Sequence, residues 1–209
     1  MGIHEKIEAF HLDVLKEAGN IGAGNAATAL SQLLNKKIDI EVPSVRLVDF
    51  EEAKNLAGRE ETVVAATFLR ITGEAPGSMF IIFQQEEAEE LAHTLTGKTV
   101  TITKDATDEM TISALQELGN ILAGSYLSAI SQFLAIPMQP SVPSLAVDMA
   151  GALLDTGLVQ ASLANDHVIV IDTVMKEADK NENVSTGQLF LLPDPEAFKR
   201  IFQALGVEL

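Results

Sequence analysis

The chain has 209 residues, 47% of them apolar, no cysteine, and 30 acidic against 14 basic side chains for a formal charge of −16. That length carries one sizeable domain, or two small repeats sharing a core. The missing cysteines exclude disulfides, thiolate catalysis and cysteine-ligated metals and suit a reducing cytoplasm; the acidity predicts no nucleic-acid partner and favours partners with exposed Lys or Arg.

At the N-terminus, MGIHEKIEAF carries charge from its fifth residue and lacks the apolar core of a signal peptide. No apolar run approaches the roughly 20 residues of a membrane helix, so no membrane insertion is expected. A first long helix is expected from about Glu5 to Leu34, followed by an extended segment through Val42-Pro43-Ser44. Two β-rich runs, TVVAATFLRITG and GSMFIIFQ, are separated by the turn residues GEAPG, and a short helix, QEEAEELAHTL, closes the half. After a connecting stretch from Gly97 to Met110 the order repeats. A long helix is expected from Asp108 to Leu134, then a second Val-Pro-Ser, then LVQASLANDHVIVIDTVMK and GQLFLLP. The last helix, DPEAFKRIFQAL, has Asp194 as its expected N-cap and Pro195 in its first turn.

The two halves are copies. Shifting the chain by 100 positions lays Leu15–Ser44 over Leu115–Ser144 without gaps, with about half the positions identical. A weaker echo relates Gly77–Leu95 to Gly187–Leu205 at an offset of 110, so the second half holds about ten extra residues, placed most easily in EADKNENVST. The fold class expected is therefore α+β: one pseudo-twofold domain over 1–209, made of tandem repeats at about 1–98 and 108–209.

Within the first helix lies EAGNIGAGN, within the second ELGNILAGS. Glu17 and Asn20 are three apart and share a helical face, as do Glu117 and Asn120. Asp13 and Ser113 stand one turn earlier. Gly19, Gly22 and Gly24 each weaken a helix interior by about 0.8–1 kcal/mol relative to Ala, which close helix–helix approach would offset. A phosphate-cradling loop is disfavoured, because GNIGAG has the glycines in the wrong order for GxGxxG and no strand before it. The histidines at 4, 11, 93 and 167 are scattered, so neither a triad nor a metal site is expected.

The full pattern is D/S-x3-E-x2-N-x22-P: Asp13, Glu17, Asn20, Pro43, and again Ser113, Glu117, Asn120, Pro143. It closely resembles the signature of the CheC, CheX and FliY family of chemotaxis phosphatases. The two motif copies, and an expectation of no added flagellar-switch domain, fit its CheC branch. The resemblance implies hydrolysis of the aspartyl phosphate of phosphorylated CheY, in the cytoplasm. Asn20 and Asn120 would orient the attacking water, and Glu17 and Glu117 would pair with a CheY lysine. Mg²⁺ would be supplied by CheY, leaving this chain without a cofactor of its own. It also implies CheD as a second partner, docking on a helix after the second proline, SLAVDMAGALLDTG, which contains Asp148. Asp13 and Gly22 against Ser113 and Leu122 imply unequal sites. The alternative is an adaptor that binds phosphorylated CheY, CheD or the flagellar switch without turnover.

Overall fold

A computed structural model describes residues 6–59, 61–104, 107–153, 167–177 and 183–207. In chain order the elements are α1 (Ala9–Leu34), β1 (Ile38–Glu41), β2 (Val45–Asp49), α2 (Phe50–Ala57), β3 (Val63–Gly73), β4 (Gly77–Gln84), α3 (Gln85–Thr96), α4 (Glu109–Leu134), β5 (Met138–Pro140), β6 (Ser144–Met149), β7 (His167–Glu177), β8 (Asn183–Pro193) and α5 (Pro195–Ala204).

Local chemistry sets the helix ends. The helix expected from Glu5 starts at Ala9, because Glu8 and His11 form a reciprocal cap in which the Glu8 N–H donates to His11 Nδ1 at 2.9 Å. At α4 the Asp108 carboxylate accepts from the Met110 and Thr111 N–H groups, and from the Thr111 hydroxyl at 2.6 Å. Those bonds, the Thr111 hydroxyl first, hold the Asp108 carboxyl below its ordinary pKa. Asp194 does occupy the cap position of α5, but its carboxylate pairs with Arg70 at 2.7 Å instead of capping. The short α2 is an element the sequence reading lacks. Its signal is Asp49, whose side chain accepts from the Glu52 N–H at 2.8 Å, followed by acidic residues in the first turn.

All eight strands join one antiparallel sheet in the order β1-β7-β8-β4-β3-β5, with β2 also on β7 and β6 also on β3. The halves therefore interleave. β1 and β2 of the first half pair with β7 of the second, and β5 and β6 of the second pair with β3 of the first. Neither half closes a sheet without the other. On the central β4–β8 pair, Phe80 stands opposite Phe190, its own counterpart at the offset of 110, so the pseudo-twofold axis passes between them. Register also locates the ten extra residues. Ile38 opposite Glu177 and Asp49 opposite His167 mirror Met138 opposite Gly73 and Met149 opposite Val63, which makes counterparts on β3 and β7 104 apart. Four of the extra residues thus precede β7, and six lie in the β7–β8 hairpin that contains EADKNENVST.

One sheet face carries α1, α3, α4 and α5 over a core that includes Leu15, Leu69, Met79, Leu118, Tyr126, Ile171 and Phe202. The other face buries Val64, Phe80, Val168 and Phe190 beneath α2 and a helical stretch that starts at Ala150. Each such side chain stabilises the fold by roughly 1.5–3 kcal/mol through removal from water.

Candidate functional site

The motif glycines divide by what surrounds them. A Cβ at Gly22 would meet the main chain of α4 at Tyr126 Cα, 2.9 Å away, so here the expected close helix approach holds. At Gly119 a Cβ would lie 2.5 Å from the Thr67 side chain, and at Gly19 it would touch Val42 at an ordinary 3.5 Å. A Cβ at Gly24 or Gly124 would meet nothing within 4 Å. Those two lie one turn beyond the Asn residues, on the face that carries the Glu–Asn pairs.

Asp13 and Glu17 are exposed along α1 and Asn20 is half-buried; on α4, Ser113, Glu117 and Asn120 are all exposed. What lies over each Asn is the Val-Pro-Ser corner. Its position starts from a repeated serine: Ser31 Oγ accepts from the Ile38 N–H at 2.9 Å, and Ser131 Oγ from the Met138 N–H at 3.3 Å. These bonds fold each strand back along its helix. The corner then reaches the carboxamide 22 residues upstream.

The two corners differ. In the first, Val42 is 2% exposed, Pro43 points outward, and the Val42 N–H donates to Asn20 Oδ1 at 3.1 Å. In the second, Val142 is 87% exposed, Pro143 is buried, and Gln116 Nε2 donates to the Pro143 carbonyl. Among the described residues no hydrogen bond engages the Asn120 carboxamide. An open cleft of about 390 Å³ lies over it, lined by Ser113, Gln116, Glu117, Asn120 and residues 140–143.

Strand chemistry explains the difference. In β1 the inward–outward alternation of Ile38, Asp39, Ile40 and Glu41 continues to put Val42 inside. In the second copy Pro140 has no N–H for a ladder, and β5 stops there. The Ser141 N–H donates to the Arg70 carbonyl, but the Arg70 N–H donates to Ser141 Oγ at 3.0 Å. The chain peels away at that point, and the next two side chains exchange faces.

Asp148 is not on a helix. It lies on β6, opposite Val64, and its carboxylate pairs with Lys104 at 2.9 Å, a contact that depresses its pKa. The helix expected over SLAVDMAGALLDTG is corrected to a strand through Met149 and a helical stretch over residues 150–153; the last four residues of that sequence segment, 154–157, lie outside the described residues. Gln116 is a site residue that the sequence reading missed. Its signal was its place between Ser113 and Asn120 on one face, where the first copy has Lys16. Among the described residues no group of three His, Cys, Asp or Glu side chains is placed to hold a metal, and no helix is long and apolar enough to cross a membrane.

The chain is 41% identical over 210 residues to the CheY-P phosphatase CheC of Bacillus subtilis, with both chains covered in full. The chain belongs to the CheC-like family. The family model matches residues 10–46 and 110–147, which in this CheC-like chain are the two Glu–Asn helices with their Val-Pro-Ser corners. The flagellar motor switch phosphatase FliY of B. subtilis is 29% identical over 131 residues, 63% of this chain and 34% of FliY. The crystal structure of Thermotoga maritima FliY superimposes with a TM-score of 0.74, covering 96% of this chain and 98% of that one at 21% identity, a likeness of fold.

Proposed function

We propose that this CheC-like chain hydrolyses the aspartyl phosphate of phosphorylated CheY, with Asn120 and Asn20 positioning the water. The observation that carries the reading is a carboxamide left unbonded on an exposed helix face, one turn from a carboxylate and over an open cleft. Its support is the name of the full-length B. subtilis relative, a CheY-P phosphatase.

The face of α4 docks at the phosphorylated aspartate of CheY. Asn120 Oδ1 accepts a hydrogen bond from a water while Nδ2 donates to a phosphoryl oxygen, which holds the water in line. The water oxygen bonds to phosphorus as the bond from phosphorus to the aspartyl oxygen breaks, releasing phosphate and the free carboxylate. Such a transfer needs charge stabilisation more than a strong base, so a neutral amide suffices. Glu117 and Glu17 form charge-assisted contacts with a CheY lysine. Mg²⁺ is brought by CheY. A cytoplasmic location follows from that substrate, and CheD is proposed as a second partner at the β6 surface around Asp148.

The test is phosphate release from phosphorylated CheY with and without the chain. Faster release that is lost in Asn20→Ala plus Asn120→Ala supports the reading. An unchanged rate with retained binding would make the chain an adaptor.

A further inference from the structure

One sequence motif takes two conformations in the same molecule. Leu15–Ser44 and Leu115–Ser144 align without a gap, yet Val42 is 2% exposed and Val142 is 87% exposed. We infer that each Val-Pro corner is a two-position gate over its Asn, and that Gln116 is the positioning residue that holds the second gate open. The kinetic part of this inference rests on the proposed phosphatase reading; the structural part does not.

In the inward position the corner occupies the atom the reaction needs. The Val42 N–H bonds Asn20 Oδ1 at 3.1 Å, which turns the amide oxygen toward the corner and takes one of its acceptor sites from the water. The Val42 side chain lies against α1 at Gly19, where an added Cβ would meet both Val42 and Ile171 within 4 Å. In the outward position the next residue turns in. Pro143 is buried, its carbonyl is held by Gln116 Nε2, and Asn120 faces the cleft that the corner itself walls. Closing this gate requires the release of the Pro143 carbonyl from Gln116. The first copy has Lys16 at that position, and no corresponding bond to Pro43 forms there.

The two positions exchange terms of similar size. Inward, one valine side chain leaves water and one N–H is satisfied by the Asn; outward, Pro143 leaves water in its place and one side-chain hydrogen bond to a carbonyl is made. Pro140 and Ser141 bias the second copy outward by ending the ladder early, as Ile40 and Glu41 bias the first copy inward by extending it. Gln116 then secures the outward state. A single polar contact on α4 thereby sets whether the amide is free.

The chain has no cysteine, so a single introduced thiol reports the gate directly. Full-length Val142→Cys should react with a thiol reagent at close to the rate of an unfolded thiol, and Val42→Cys at least about a hundredfold more slowly, because it waits for local opening. Gln116→Met, similar in size but unable to donate, should slow labelling of Val142→Cys about two- to fivefold, because losing one such bond shifts a mostly open equilibrium by up to about tenfold. The same substitution in the parent should lower single-turnover decay of phosphorylated CheY by a similar factor, about two- to fivefold, while binding of beryllofluoride-activated CheY falls less. Hydrogen exchange in the unsubstituted chain gives a second reading, with the Val42 N–H protected and the Val142 N–H fast. Equal labelling of the two thiols, or equal exchange at the two amides, would overturn the gate. Labelling unchanged by Gln116→Met would overturn the role of Gln116. A parent chain with no phosphatase activity would remove the functional reading alone, since labelling and exchange would still decide the gate.

Discussion

At positions 24 and 124 each motif helix carries a glycine where an added Cβ would meet nothing within 4 Å, although glycine weakens a helix by about 1 kcal/mol relative to Ala. Gly24→Ala and Gly124→Ala should therefore each raise stability by about 0.5–1 kcal/mol in urea unfolding. Gly22→Ala should do the opposite and cost about 1–3 kcal/mol, because its methyl would meet the α4 main chain at 2.9 Å. Equal effects at 22 and 24 would show that helix propensity alone sets these positions. The Asn residues are separated by their hydrogen bonds in the same way. Asn120→Ala should slow decay of phosphorylated CheY about ten- to hundredfold, and Asn20→Ala by much less, since Asn20 is already engaged by Val42. The measurement is single-turnover phosphate release, and a reversed order would contradict it.

The crossing of α1 on α4 depends on Tyr126, the one tyrosine in the chain. It is buried opposite Gly22, and its hydroxyl lies 3.1 Å from Thr173 Oγ1 on β7, so it ties the helix layer to the sheet. Burial pushes its pKa up to about 12, with the Thr173 hydrogen bond opposing in part. The proton is held more tightly folded than unfolded, where the value is near 10. The resulting stability is complete below pH 10 and is lost as pH rises toward 12, roughly 2–3 kcal/mol in all. Without tryptophan or a second tyrosine, absorbance near 295 nm follows this group alone, and its ionisation should coincide with alkaline unfolding. Tyr126→Phe should flatten that pH dependence. A native midpoint near 10 would mean the hydroxyl is reached by water.

Because the halves interleave, the molecule should unfold as a unit rather than repeat by repeat. Phe80 and Phe190 face each other at the pseudo-twofold axis, 4% and 0% exposed, and each Phe→Ala should cost about 3–5 kcal/mol with one cooperative transition retained. As they share one contact, the double change should cost less than the two single changes added. Two separated transitions would show that the repeats fold independently. Charge also acts at this scale. The −16 net charge and the exposed Glu17 and Glu117 favour a cationic partner surface, so Glu17→Gln plus Glu117→Gln should weaken CheY recruitment and flatten its salt dependence. An unchanged salt slope would make those carboxylates structural.

The sequence alone determined the repeat, the α+β class, the two long helices and the pairing of Glu17 with Asn20 and Glu117 with Asn120, because each follows from spacing within a single helix or from comparison of two segments. It also held the cause of the open second corner in Pro140 and Ser141, though not the consequence. Only the tertiary structure decided that strands are exchanged between halves, that Asp148 sits on a strand, that Gly22 and not Gly24 serves helix packing, and that Val42 bonds Asn20 while Val142 turns outward and Gln116 bonds the Pro143 carbonyl. Each of these is a contact between residues on different elements. A local pattern fixes which face a side chain occupies, but what meets that face is set by the balance of burial and hydrogen bonding over the assembled sheet and helices.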